Sequence, residues 1–505
     1  MPLDNNKRIA KNTLALYIRM LFMMGITLYT SRVMLKVLGV EDFGIYNVVG
    51  GVVVLFAFLN TVMSSATQRF LSYDLGCMDF TQMRKTFSVS MTVHLYIVLA
   101  IILLSETVGV WFLNTQMDIP AERMTAANWV FQFSVVNCCL KTIRVPYNAT
   151  IIAYEKMSFF AYMGILEVVL GLLAVYVLLW LPADKLTLYA GLVCLVSLLV
   201  LLFYKLYCNR RFETSRYRFC RDRALFGRLM SFSGWSMFGG VATLGSQQGV
   251  NILLNVFFGV TVNAAMGIAT QVGQGVYSLV SSFQTAFNPH MVKLYAQQEK
   301  EAFIDLTVRS SKISFYLLFI LALPLMLNMD SVLRVWLGDV PPYAGQFCRL
   351  TIVYFLIGSV SSPLSLSVQA TGDIKRYQMI VSLLMITIIP LGYLVLKLGF
   401  NPGSVLVVKV AVIFLTYIVQ VFLLRTHIGL PVRKYLKETL LVPCISMLIA
   451  VPLPLWVYGR TSGTTAFLLS GALSVLTVGL SAWLIGMNRS ERLFVKKAVR
   501  SKLHR

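Results

Sequence analysis

The chain has 505 residues, of which 57% are hydrophobic and 13% charged, with a mean hydropathy of +0.74. This composition excludes a soluble globular domain and marks an all-α polytopic membrane protein. The formal net charge of +23 would suit a nucleic-acid binder, but the placement of the charges along the chain argues against one.

Apolar runs of roughly 20 residues, each long enough to cross about 30 Å of hydrocarbon as a helix, recur over almost the whole length. They predict fourteen spans, near 13–35, 44–65, 86–113, 125–150, 158–181, 186–204, 229–258, 264–287, 313–333, 346–370, 377–396, 403–424, 439–458 and 464–486. The first is too long for a signal-peptide core and is expected to remain in the mature protein. The N-terminus, the even-numbered connections and the C-terminal tail carry 32 Lys and Arg, against 6 in the odd-numbered connections. That asymmetry predicts both termini in the cytoplasm. The richest connection, "YKLYCNRRFETSRYRFCRDRALFGR" (204–228), is expected to lie on anionic headgroups.

The halves resemble each other. "LKVLGV" (35–40) answers "NVFFGV" (255–260), "VWFLN" (110–114) answers "VWLGD" (335–339), and "VPYNATIIAYEKM" (145–157) answers "SPLSLSVQATGDI" (362–374). Offsets of 220, 225 and 217 residues in one order point to an internal duplication of six spans. An even number of spans makes the copies parallel. The expected organisation is an N-lobe over 1–204, a basic linker over 205–228, a C-lobe over 229–424, two extra spans within 425–486, and a basic tail over 487–505.

Polar residues fall on stripes at helical spacing. The first span supplies Asn12 and Arg19, and the fourth carries Asn137, Lys141, Arg144 and Asn148 on one face. The seventh carries Ser236, Gly240, Thr243, Gln247, Asn251 and Asn255, and the eighth Gly267, Gln271, Gln274, Ser278, Ser281, Thr285 and Asn288. At 1.5 Å per residue, Lys141 lies roughly 15 Å inside its span and Arg19 about 10 Å inside. A cation at that depth costs at least about 2.5 kcal/mol on insertion scales, so it is expected to face water, a partner or a ligand. Arg144 is one turn shallower and can also snorkel, as can Arg32, Arg349 and Lys409 near span ends. Glu167 suits an ion pair with a basic neighbour or a coupling proton, and His94 is the other candidate for coupling. The stripes can equally serve as polar contacts between helices. No cysteine spacing suits a metal, and no metal or cofactor is expected.

The opening "NKRIAKNTLALYIRMLFMMGITLYTSRVMLKVLGVEDFGIYNVVGG" (6–51) resembles bacterial polysaccharide transporters, the lipid-linked oligosaccharide (O-antigen-type) flippases. They belong to the multidrug/oligosaccharidyl-lipid/polysaccharide exporter superfamily. "LGVEDFGIYNVV" after the first span and "FFGVTVNAAMGIATQV" (257–272) after the seventh carry the likeness best, and it extends over the fourteen-span layout. The resemblance implies two parallel six-helix, MATE-like lobes around a cationic cavity, working by alternating access in a bacterial inner membrane. It also implies a substrate, a polyprenyl-pyrophosphate-linked glycan, moved from the cytoplasmic to the periplasmic leaflet. On that reading Arg19, Lys141 and Arg144 meet the pyrophosphate, and Asn137, Asn148, Gln247, Asn251, Gln271, Gln274 and Ser278 meet sugar hydroxyls. Membrane lipids, a polysaccharide polymerase and glycosyltransferases are the expected partners, and nucleic acid is not. Three alternatives stand beside it: a multidrug exporter of the same superfamily, a membrane polymerase or glycosyltransferase, and a scaffold. An exporter of cations would want carboxylates in its spans, and an enzyme a larger outer loop and a catalytic set. Glu41-Asp42 in the first outer loop are better read as turn residues than as a catalytic acidic pair.

Overall fold

In hydrocarbon every backbone N–H and C=O must find its partner inside the segment, so apolar runs of this length fold as helices. The computed structural model describes residues 3–54, 57–117, 119–180, 184–460, 463–488 and 492. Among these the regular structure is helical throughout.

The helices follow in order as α1 (Leu3–Val54), α2 (Ala57–Gly76), α3 (Phe80–Leu104), α4 (Val110–Thr115), α5 (Met124–Ala153), α6 (Met157–Val177) and α7 (Lys185–Arg211). Then come α8 (Arg223–Phe258), α9 (Val260–Ala296), α10 (Lys300–Leu327), α11 (Met329–Leu337), α12 (Ala344–Thr371), α13 (Lys375–Ile386) and α14 (Ile388–Lys397). The chain continues as α15 (Gly403–Ile428), α16 (Val432–Leu436), α17 (Val442–Ala450), α18 (Pro452–Arg460) and α19 (Gly463–Ser481). The fold is that of an all-α polytopic membrane protein. Most of the basic tail over 487–505 lies outside the described residues.

Each expected span coincides with a helical segment, but several boundaries move. The first span and the start of the second lie in one helix, α1, bent at Gly39, whose φ of 82° and ψ of 171° are open only to glycine. The helix of the second span runs on to Gly76 rather than ending near 65. The ninth span is expected to close near 333. It closes instead at Leu327, where Asn328 turns the chain into the amphipathic α11. Ten helical segments among the described residues are long and apolar enough to cross a membrane. The expected spans outside that set are the second, fourth, seventh and eighth, and the last three carry the polar stripes.

The duplication is written in the backbone. Gly39 and Gly259, 220 residues apart, take φ of 82° and 80°. Met78 and Gln298, again 220 apart, take 59° and 60°, and Glu155 and Gly372, 217 apart, take 57° and 84°. The turn hydrogen bonds repeat as well: Met78 N to Leu75 O and Asp79 N to Asp74 O match Gln298 N to Tyr295 O and Glu299 N to Leu294 O.

The chain divides into two compact units. One comprises Arg8–Met237 with Tyr295–Gln298, the other Met1–Lys7, Phe238–Leu294 and Glu299–Arg505. The core of the first includes Leu71, Met83, Phe87, Tyr147, Ile151 and Val200. Near the opposite ends of its helices, Arg123 donates to Asp42 and, at 2.8 Å, to Asp184, the N-cap of α7. Asp42, expected in a turn, lies instead in the helical run after Gly39 and is buried in this clasp. In the second unit the last helices are fastened to α10 by polar contacts. Tyr435 donates to Ser311 at 2.8 Å, Asn328 to Ser470 at 2.9 Å, and Lys312 pairs with Glu438 at 3.6 Å.

Candidate functional site

α5 is 30 residues long, about 45 Å at 1.5 Å per residue; Lys141 falls in its middle third and Arg144 at the start of its last third. Pro146 lies within the helix and leaves the Thr142 carbonyl without its usual donor, locally weakening the ladder beside these cations. Arg144 reaches α6, where Nη1 and Nη2 donate to the two carboxylate oxygens of Glu167 at 2.9 and 3.4 Å. Both side chains retain some exposure, 18% for Arg144 and 28% for Glu167. The guanidinium also lies 5.6 Å from the ring centre of Tyr204 on α7.

Arg19 of α1 joins the same cluster. Its guanidinium stacks 4.1 Å above the ring of Phe160, and it lies within electrostatic reach of Glu167, Arg144 and Tyr204. Gly164 makes the room, since a Cβ there would run into Arg19 Nε. That Nε is shielded from solvent and makes no hydrogen bond among the described residues. Lys141, one turn from Arg144, is exposed and meets no carboxylate among them. Arg19 and Arg144 are therefore gathered about one carboxylate, Glu167, whereas no contact among the described residues brings Lys141 to it. The expectation that Glu167 pairs with a basic neighbour is met.

The remaining predicted residues of this unit sit apart from that cluster. Asn137 accepts a hydrogen bond from Ser197 at 2.5 Å, so its side chain joins α5 to α7. Asn148 is half-buried, and its Oδ1 is shielded without a partner. His94 is wholly buried, with Nδ1 2.7 Å from the Ser90 carbonyl and Nε2 unpartnered.

The second unit holds the other stripes. On α9, Gln271 and Gln274 are exposed and make no hydrogen bond to the described residues, whereas Ser278 is half-buried and donates to the Gly275 carbonyl at 2.6 Å. The other face of α9, with Ala265, Ala269, Gly273, Val276 and Val280, is buried. At Gly273, Phe355 and Thr351 of α12 stand where a Cβ would otherwise project. No large apolar side chain is exposed among the described residues of α9. α7, by contrast, exposes Leu198, Leu202 and Leu206. A helix in a membrane that shows leucine suits lipid, and one that shows only glutamine, serine, threonine and small residues suits water. On α8, Asn251 donates to Gln248 at 2.8 Å and Gln247 is half-buried beside them.

Phe160, Gly164, Tyr204 and Gln248 escaped the sequence reading. Phe160, Gly164 and Glu167 follow at spacings of four and three, so one face of α6 held the signal. Tyr204 had none, because it meets Arg144 only through the packing of α5 on α7.

Comparison with solved structures fixes the architecture. A MATE structure in the bent conformation matches with a TM-score of 0.75 at 13% identity, covering 85% of this chain and 97% of that one. The chain has the MATE fold. The outward-facing conformation of a multidrug resistance MATE family transporter of the MOP superfamily matches at 0.73, with 13% identity over 84% of this chain and 96% of that one. A MOP superfamily transporter from Pyrococcus furiosus, described as having a binding pocket of reverse polarity that suggests a different function, matches at 0.71, with 13% identity and the same coverage. No protein-family model and no curated protein sequence matches the chain.

Proposed function

We infer that this chain is a transporter of the MOP superfamily, and specifically a flippase that carries a polyprenyl-pyrophosphate-linked oligosaccharide from the cytoplasmic to the periplasmic leaflet by alternating access. The observation that carries this reading is the excess of positive charge on these helices, with Arg19 and Arg144 against the single carboxylate of Glu167 and Lys141 exposed one turn from Arg144. A pyrophosphate drawn from the interface into a low-dielectric path needs permanent cations. Arg supplies planar paired donors and Lys a point charge. The unused Arg19 Nε and the unpaired Lys141 are the donors available to it, while Arg144 is oriented by Glu167. The polar face of α9 supports the same reading, since exposed amides suit sugar hydroxyls. An apolar cavity of about 490 Å³ in the second unit, walled by Phe319, Met326, Leu356, Phe414, Pro443 and Met447, has the chemistry of a hydrocarbon chain. The reversed pocket polarity described for the Pyrococcus furiosus protein is a precedent for a cargo unlike that of the multidrug exporters.

The fold itself favours a second reading, multidrug export, and Glu167 is an in-span carboxylate that a cationic drug could use. Against it, both oxygens of Glu167 are occupied by Arg144.

Leaflet transfer of a labelled polyprenyl-pyrophosphate oligosaccharide in proteoliposomes tests the proposal. Loss of one charge-assisted contact is worth about 1.5–3 kcal/mol, so Lys141→Ala should slow transfer at least about tenfold in folded protein. Wild-type protein that moves organic cations and leaves the lipid-linked glycan in place would establish the second reading instead.

A further inference from the structure

The first unit contains a second cavity, of about 460 Å³, remote in character from the arginine cluster. One end is polar, formed by Lys205 and Asn209 from the last turns of α7 with Arg216 and Tyr217 from the segment between α7 and α8. The rest is hydrocarbon, from Met91 and Leu95 of α3, Ile143 of α5, and Leu201 and Leu202 of α7. Walls divided in this way suit an amphiphile.

Three observations define what it would hold. Lys205 and Arg216 are exposed and have no carboxylate partner among the described residues, so the polar end asks for an anion. The Asn209 Oδ1 is shielded from solvent and receives no hydrogen bond, so it asks for a donor. The neighbouring surface shows Leu95, Leu99, Leu198, Leu202 and Leu206 to the outside, the composition of a lipid-facing wall. The segment that supplies Arg216 and Tyr217 is fixed in place. Tyr217 OH lies 3.3 Å from Thr92 Oγ1, the Arg218 N–H donates to Ser88 Oγ at 3.3 Å, and Thr214 Oγ1 lies 3.3 Å from the Tyr154 hydroxyl.

We propose that this cavity is a binding site for an anionic phospholipid with hydroxyl donors in its headgroup, the phosphatidylglycerol class. Its phosphodiester lies between Lys205 and Arg216, a headgroup hydroxyl donates to Asn209 Oδ1, and an acyl chain runs along Leu95 and Leu202. A lipid so placed fastens the segment ahead of α8 to α3 and α7. The site stands independently of the flippase reading, because it uses none of the cations assigned to the cargo.

The test is native mass spectrometry of the full chain in detergent, titrated separately with phosphatidylglycerol, phosphatidylcholine and glycerol phosphate. Each cation near a membrane surface adds about 1 kcal/mol toward anionic lipid. Lys205→Gln with Arg216→Gln should therefore weaken phosphatidylglycerol binding about thirtyfold and leave the weaker phosphatidylcholine adducts unchanged. Arg210→Gln with Arg211→Gln removes equal charge from the end of α7 outside the cavity and should have no such effect. Leu202→Trp keeps every charge and fills the trough, and should weaken binding as well, which covers failure of the charge variant to fold. Undiminished binding in the Lys205/Arg216 variant, equal loss in the Arg210/Arg211 variant, or glycerol phosphate binding as tightly as the lipid would each overturn the proposal.

Discussion

At the scale of single residues, the Arg144–Glu167 pair sets two roles against each other. Arg144→Ala leaves the Glu167 carboxylate without its hydrogen-bonded cation, with Arg19 only in electrostatic reach, and should cost about 3 kcal/mol, the low end for a buried pair because both side chains keep some exposure. Arg144→Met with Glu167→Leu removes both charges and should restore thermal stability to near the wild-type value. If Arg144 also serves the cargo, the restored protein will still be deficient in transfer. Melting temperature and leaflet transfer, measured on the same three proteins, separate folding from function. Asp184, outside the spans, supplies a pH-dependent counterpart. Burial pushes its pKa up, but hydrogen bonds from Thr187 and Arg123 outweigh that and hold it below the ordinary carboxylate value. A depressed pKa stabilises the fold above the unfolded value, near 3.9, and that contribution disappears as pH falls through the folded one. Asp184→Asn should therefore lower the melting temperature at pH 7, by a margin that shrinks as the pH falls below about 3.9. At this exposure the effect is below about 1 kcal/mol.

At the scale of elements, the bends between the first two helices of each repeat depend on backbone rather than packing. Nothing stands within 4 Å of a Cβ built at Gly39 or Gly259, yet both have φ near +80°. Gly39→Ala should cost about 1–3 kcal/mol through strain alone. Gly25→Ala, in the helical part of α1 and equally uncrowded, should be neutral or stabilising by up to about 1 kcal/mol. Denaturation of the two variants in the same detergent compares them directly, and equal losses would refute the backbone explanation. The sequence carried these bends only as the match between "LKVLGV" and "NVFFGV". Hydropathy made the helices legible because a membrane imposes one structure on any long apolar run. It said little about where helices begin and end, since α2, α8 and α9 extend beyond their apolar stretches. The stripes were legible as faces, but not what each face meets. Asn137 and Arg144 share one stripe, yet Asn137 turns to Ser197 and Arg144 to Glu167, because α5 packs on both α7 and α6.

At the scale of the whole molecule, the charges and the fold make separate statements. The MATE fold describes how the helices are arranged and is silent on which end faces the cytoplasm. The Lys and Arg counts, 32 against 6, predict a direction, on which the leaflet assigned to the proposed lipid site and cargo path depends. The free thiols allow a direct check. Cys77 is exposed in the turn between α2 and α3, at the basic end, whereas Cys138, Cys139, Cys208 and Cys348 are buried. Cys444 is exposed too, but on α17 within an apolar segment, where hydrocarbon keeps out a charged, membrane-impermeant maleimide. In a variant retaining only Cys77, a membrane-impermeant maleimide should leave intact cells unlabelled and react fully once the membrane is opened. A variant retaining only Cys444 should stay largely unreactive under both conditions. Labelling of Cys77 in intact cells would turn the molecule over. It would place the basic linker and the Lys205–Arg216 site at the outer leaflet, and a flippase loading at the cytoplasmic face would then need a different entrance.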